Sequence, residues 1–136
     1  MTARARKYRI LVVDDEPSVL LTYQMILEQK GYEVVAAPSS AEARRALESS
    51  QQLDLLLCDL SLEEKDSGFA IIEYARRRQP GLPTLLLTGY AGKDISARAL
   101  HLDISVLLKP IDIQEFLGVI RAHLRHAYGP KEASGQ

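Results

Sequence analysis

Five short runs of mostly Val, Ile and Leu recur along the chain, at residues 8–13, 33–37, 53–58, 83–87 and 105–108, and their length and β-branched content predict strands. Ile10-Leu11-Val12-Val13 and Leu55-Leu56-Leu57 are apolar on consecutive positions. A strand with one wet face alternates, so unbroken apolar runs point to strands covered on both faces. Between the runs the apolar spacing lengthens to three and four. Leu20, Tyr23 and Leu27 mark a first helix that stops at Gly31, and a second begins after Ser39 or Ser40 and is expected to bury Ala43, Ala46 and Leu47. The third carries Phe69, Ile72 and Ala75 and ends before Pro80; a weaker fourth covers 95–102. Ile113, Phe116, Leu117, Ile120 and Leu124 form the single apolar stripe of a fifth.

Strand then helix, five times over, is the signature of an α/β fold in which right-handed crossovers join parallel strands into an open sheet with helices on both faces. A chain of 136 residues has room for one such unit. We place the domain at 8–127, with 1–7 as an N-terminal leader and 128–136 as a C-terminal tail or the start of a linker. The net charge of −1 supplies no field to hold nucleic acid or an anionic membrane, so neither is expected as a direct partner. The basic cluster Arg4, Arg6, Lys7 and Arg9 reads as part of a solvated leader, and Arg76-Arg77-Arg78 as a solvated helix terminus facing the negative end of its dipole. Cys58 is the single cysteine and is expected to be a small buried hydrophobe. No apolar stretch approaches the ~20 residues that span a bilayer, and a cytoplasmic location is expected.

Ligand-binding groups of an open parallel sheet gather beyond the carboxyl ends of its strands. Here the first strand ends in Asp14-Asp15-Glu16, the third in Asp59, the fourth in Thr88-Gly89 and the fifth in Lys109-Pro110. Two carboxylates ~5 Å apart repel by about 3 kcal/mol at an effective dielectric near 20. A hard divalent cation relieves that repulsion, and Mg²⁺, which takes oxygen ligands and shares its sphere with phosphate, suits the set. One aspartate can then attack phosphorus to form an acyl phosphate, with Lys109 and Mg²⁺ stabilising charge on the phosphoryl oxygens. Thr88 can donate a hydrogen bond to those oxygens, and Gly89 leaves room for their approach. His101, His123 and His126 lack metal-ligand spacing and are assigned no chemistry.

Val12-Val13-Asp14-Asp15-Glu16-Pro17, Leu57-Cys58-Asp59-Leu60, Leu87-Thr88-Gly89-Tyr90-Ala91 and Lys109-Pro110 together resemble the receiver domain of two-component response regulators, of the chemotaxis-receiver type. Four motifs at four strand ends, in order, make that resemblance specific. It implies a flavodoxin-like (βα)5 fold, a doubly wound sheet in strand order 2-1-3-4-5. It implies that Asp59 is the phosphoacceptor. Mg²⁺ would be held by Asp15 and Asp59 directly, by Asp14 mostly through water, and by the backbone carbonyl of Ser61. Thr88 would be the switch hydroxyl, Lys109 the salt-bridge partner, and the Lys109-Pro110 bond cis. The implied function is phosphorelay signalling: Asp59 takes a phosphoryl group from a sensor histidine kinase or phosphotransfer protein, and the modified domain changes its grip on a downstream protein target. Such a domain is a switch with self-phosphotransfer and autodephosphorylation chemistry, rather than an enzyme. Homodimerisation through the face of the fourth helix, fifth strand and fifth helix is a further implication.

The chain departs from the family in places. Val106 stands where an aromatic residue is common, which makes Tyr90 the candidate to gate the site or relay its state. Glu63 stands where proline is usual, in a loop one residue longer, and Leu102-Asp103 replaces the usual Gly-Ala pair. Two alternatives accompany the main reading: the receiver portion of a hybrid sensor kinase, suggested by Leu87-Thr88-Gly89-Tyr90-Ala91, and an aspartate-nucleophile phosphatase. Phosphatases of that kind carry Asp-x-Asp on the first strand, whereas Asp14 and Asp15 are adjacent.

Overall fold

A computed structural model describes residues 6–64 and 67–130. Strands β1 (Arg9–Val13), β2 (Glu33–Ala37), β3 (Leu55–Asp59), β4 (Thr84–Thr88) and β5 (Ser105–Leu108) alternate with helices α1 (Pro17–Gln29), α2 (Ser40–Glu48), α3 (Gly68–Arg78), α4 (Lys93–Leu102) and α5 (Ile113–Tyr128). All strand pairs are parallel, in the order β2-β1-β3-β4-β5. The fold class expected from the sequence is the one observed. No helix among the described residues is long and apolar enough to cross a membrane.

Side chains alternate across the sheet, so its consecutive apolar positions feed two cores. Ile10, Val12, Leu55, Leu57, Leu85 and Leu87 pack with α1 and α5 on one face. Leu11, Val13, Leu56, Cys58 and Leu86 pack with α2 and α3 on the other, where Ile95 and Leu102 of α4 also lean in. Burial pushes the Cys58 thiol up, which keeps it protonated and inert.

Several sequence expectations need correction. Ile113 is exposed although it continues the α5 stripe, and Ala46 is half-buried. Helical spacing fixes an angle around the axis, but not how far the sheet extends beneath it. Arg6 and Arg9 do not stand free: Arg6, itself exposed, binds the Asp54 carboxylate through both terminal nitrogens, at 2.8 and 2.7 Å, and Arg9 pairs with Glu33 at 2.9 Å. Arg4 lies outside the described residues. Asp54 is 2% exposed at the base of β3, and a carboxylate that deep requires a counter-charge and donors. The Arg9 N–H supplies a third hydrogen bond to it, at 2.7 Å. Arg76 is likewise engaged, donating to the carbonyl of Asp103 at 3.2 Å. That carbonyl belongs to the α4 cap, a residue with φ of 57°, a left-handed conformation that aspartate tolerates better than most residues.

Tyr128 closes α5, donating its hydroxyl to the Asp54 carbonyl at 2.8 Å and stacking on Tyr8 at 5.6 Å. Replacing Asp54 by asparagine keeps an oxygen for the Arg9 N–H but removes the charge facing Arg6. The expected loss is about 1–2 kcal/mol of unfolding free energy, to be read by urea denaturation. An unchanged midpoint would mean that the pair contributes nothing.

Candidate functional site

Each site residue stands where a strand gives out. The Asp14 N–H still donates to Ala37 at 3.2 Å, Leu60 to Leu87 at 2.8 Å and Lys109 to Thr88 at 2.8 Å, so backbone ladders hold the residues at the rim. The turn out of β1 is local chemistry: Asp14 Oδ1 accepts the Glu16 N–H at 2.9 Å, and Pro17 opens α1, a position where its missing N–H costs nothing. Asp14 is thereby buried and Asp15 left exposed.

Across the rim, one carboxylate oxygen each from Asp14, Asp15 and Asp59 lies within 4.8 Å of the others. Lys109 Nζ donates to Asp59 Oδ1 at 2.5 Å and sits 3.7 Å from Asp14 Oδ2. Thr88 is buried beside them on β4. The structure therefore brings Asp14, Asp15, Asp59, Thr88 and Lys109 to one edge of the sheet. Ser61, two residues past Asp59, is exposed between the buried Leu60 and Leu62. The Lys109-Pro110 bond is cis, as expected.

Burial raises the Asp59 carboxyl above its ordinary value, and the hydrogen bond and attraction of Lys109 offset only part of this. Burial alone would lower Lys109. Its bond to Asp59 and the negative charges of Asp59 and Asp14 outweigh that, and its pKa is raised. Asp14 Oδ2 is buried and has no hydrogen-bond partner among the described residues. An orphaned buried oxygen, beside two further carboxylates and a single ammonium, is the donor set that a hard cation completes.

Thr88 is where expectation and geometry diverge most. Its hydroxyl donates to the Tyr90 carbonyl at 2.9 Å and accepts the Tyr90 N–H at 3.2 Å, a closed turn that commits it to its own loop. The Tyr90 ring is 72% exposed and lies over Gly92, where any β-carbon would meet it. A β-carbon at Gly89 would meet nothing, so the approach to the rim is open there. Val106 is half-buried against the α2–α3 core.

Sequence reasoning missed two residues. Gly68 opens α3 directly against the Asp59 backbone: a β-carbon there would overlap the Asp59 carbonyl oxygen and come within 2.9 Å of the Leu60 Cα. Glu63, noted only as a departure from the usual proline, accepts hydrogen bonds from the Ser40 N–H at 3.0 Å and the Ser40 hydroxyl at 2.9 Å. Those backbone and hydroxyl donors lower its pKa.

Comparison with known proteins agrees with this geometry. Residues 10–121 match the response regulator receiver domain. The transcriptional regulatory protein ZraR of Escherichia coli K12 is 34% identical over 122 residues, which are 88% of this chain and 27% of ZraR. The alginate biosynthesis transcriptional regulatory protein AlgB of Pseudomonas aeruginosa is 34% identical over 110 residues, 80% of this chain and 24% of AlgB. The chain thus spans about a quarter of the length of these relatives. Among solved structures, a CheY-like receiver domain protein from Methanospirillum hungatei superposes with a TM-score of 0.83 at 30% identity, covering 89% of this chain and 96% of that one. The non-phosphorylated HemR receiver domain from Leptospira biflexa gives 0.79 at 31% identity, with 87% and 94% covered. Sequence, strand order and rim chemistry agree, and the chain belongs to the response regulator receiver domain family of two-component phosphorelay signalling.

Proposed function

We propose that Asp59 is the phosphoacceptor, and that its modification switches the domain's protein contacts. The observation that carries this reading is the ammonium of Lys109 at 2.5 Å from Asp59 Oδ1, on a rim shared with Asp14 and Asp15. The donor would be the phosphohistidine of a sensor kinase or phosphotransfer protein. An Asp59 oxygen attacks phosphorus, the phosphorus–nitrogen bond breaks, and the imidazole leaves with its electron pair. Lys109 remains protonated and exchanges its partner, from the carboxylate to the phosphoryl oxygens. Asp14, Asp15, Asp59 and the Ser61 carbonyl would hold Mg²⁺, which when bound supplies positive charge to the phosphoryl oxygens. Thr88 must give up the Tyr90 carbonyl before it can donate to the new group, which makes the segment around Tyr90 the first to feel the modification.

Output is assigned to protein contacts, because a net charge of −1 offers no field for nucleic acid. The curated relatives are transcriptional regulators, and in this reading the domain acts upstream of that step. Leu100 on α4 and Leu108 on β5 are 81% and 56% exposed, which supports homodimerisation through the α4-β5-α5 face. The cytoplasm is the assigned compartment, where an unpaired Cys58 stays reduced.

The test is incubation with acetyl phosphate and Mg²⁺, followed by peptide mass spectrometry. One phosphoryl group per chain, on the peptide containing Asp59 and dependent on Mg²⁺, is the expected result. Labelling elsewhere would overturn it, and steady turnover of a phosphomonoester would favour the phosphatase alternative.

A further inference from the structure

We infer that Glu63 is a positioning residue for the cation site, acting through the backbone of Ser61. The inference rests on the proposed role of the Ser61 carbonyl as a ligand.

The loop that leaves Asp59 is pinned on an alternating pattern. Leu60 and Leu62 are 3% and 6% exposed, buried in the α2–α3 core, so Ser61 between them is turned to the opposite side. The next fixed point is Glu63. Its two carboxylate oxygens take the N–H and the hydroxyl of Ser40, at 3.0 and 2.9 Å. Ser40 is the first residue of α2, and the connection crosses 23 residues of sequence. Behind Glu63, the Ser67 hydroxyl accepts the Leu62 N–H at 3.0 Å, and the Gly68 N–H reaches Leu60 at 2.6 Å. The peptide after Ser61 is therefore held between a buried leucine and a two-point link to a neighbouring helix.

A cap explanation alone does not account for the arrangement. Helix α2 already has its own cap, since the Ser39 side chain accepts the Glu42 N–H at 3.2 Å. Glu63 adds a connection between loop and helix, and the rigid partner is the helix. What is fixed is thus the loop, and with it the direction of the Ser61 carbonyl. Groups that orient metal ligands typically change affinity 10–100-fold. Glu63 is exposed and acts through two peptide units, so a smaller effect is expected, roughly 3- to 10-fold.

Two variants cut the link from opposite ends. Glu63→Ala removes the acceptor. Ser40→Pro removes both donors yet suits its place, because proline is favoured at the first helical position and Ser39 has φ −153° and ψ 164°, the extended backbone required before proline. Glu63→Gln, with one oxygen to accept and an amide to pair with the hydroxyl, should restore the connection. Ser39→Ala is the control, weakening the α2 cap and leaving the link intact.

Mg²⁺ titration of the unphosphorylated protein by calorimetry, with thermal melting of the same samples in chelator, separates the outcomes. Expected is a 3- to 10-fold weaker Mg²⁺ affinity in Glu63→Ala and Ser40→Pro, and near-parental affinity in Glu63→Gln and in Ser39→Ala despite the latter's lower melting point. Parental affinity in both link-cutting variants would overturn the inference while leaving the site reading intact. A parent protein that binds no Mg²⁺ would overturn the site reading itself.

Discussion

Asp59→Asn should yield a protein that takes no phosphoryl group and melts at a higher temperature than the parent. The first half follows from chemistry: an amide oxygen at Asp59→Asn is too poor a nucleophile to form the acyl phosphate. The second half follows from linkage. Burial, only partly offset by Lys109, holds the Asp59 carboxyl above its ordinary pKa. A group raised in this way favours the fold while protonated, below its unfolded pKa, and that contribution disappears as the pH climbs through the folded value. At neutral pH the ionised side chain therefore works against folding, pressed by Asp14 and Asp15. Asparagine removes the charge and keeps the shape. Without divalent cations at pH 7, the gain should be about 1 kcal/mol, or roughly 3–5 °C in melting temperature. It should shrink towards nothing as the pH falls below about 4, where both side chains are neutral. Any residual labelling of the variant on the same peptide, or a melting point below the parent's at neutral pH, would contradict the account of this carboxylate.

Among the described glycines, Gly68→Ala should be the most damaging substitution by alanine. The new carbon overlaps the Asp59 carbonyl oxygen and approaches the Leu60 Cα and carbonyl oxygen to 2.9 Å each. These are backbone atoms of β3 and its exit, so no side-chain rotation relieves the collision. The strand end itself must move, or α3 must start later and lose the 2.6 Å bond from the Gly68 N–H to Leu60. Overpacking of that kind costs about 3 kcal/mol, the upper end for an added methylene group. Because the displaced atoms belong to Asp59, labelling should slow by at least about tenfold even in the folded fraction, as small misplacements of reacting groups do elsewhere. Urea denaturation together with the rate of acetyl phosphate labelling tests both parts. A stable, normally labelled variant would mean that the loop yields where the backbone contacts say it cannot.

The fold was legible because the relevant information is local. Consecutive apolar residues such as Leu55-Leu56-Leu57 declare a strand buried on both faces, and both cores take their share. The clustering of the candidate residues was legible for a related reason: Asp14, Asp59, Thr88 and Lys109 each follow such a run directly, and parallel pairing carries all four to one edge. Contacts across long sequence separations were not legible. Nothing near Arg6 hints that Asp54, 48 residues on, will claim it, nor does anything near Glu63 point back to Ser40. Gly68 reads as an ordinary turn residue until the backbone behind it is known. The Thr88 hydroxyl is a different case, since a threonine at a strand end has two satisfactory sets of partners. Here it is bonded to Tyr90.

Asp54 and Asp59 stand on either side of one strand's apolar stretch, five residues apart, a span of about 16 Å. The cluster around Asp54 gathers Arg6, near the start of the described chain, and Tyr128, near its end. Both ends of the described chain therefore emerge at the pole opposite the acidic pocket. A fluorophore attached at Arg6 or Tyr128 would sit away from that pocket, and the domain could be held from this pole without reshaping the acidic rim.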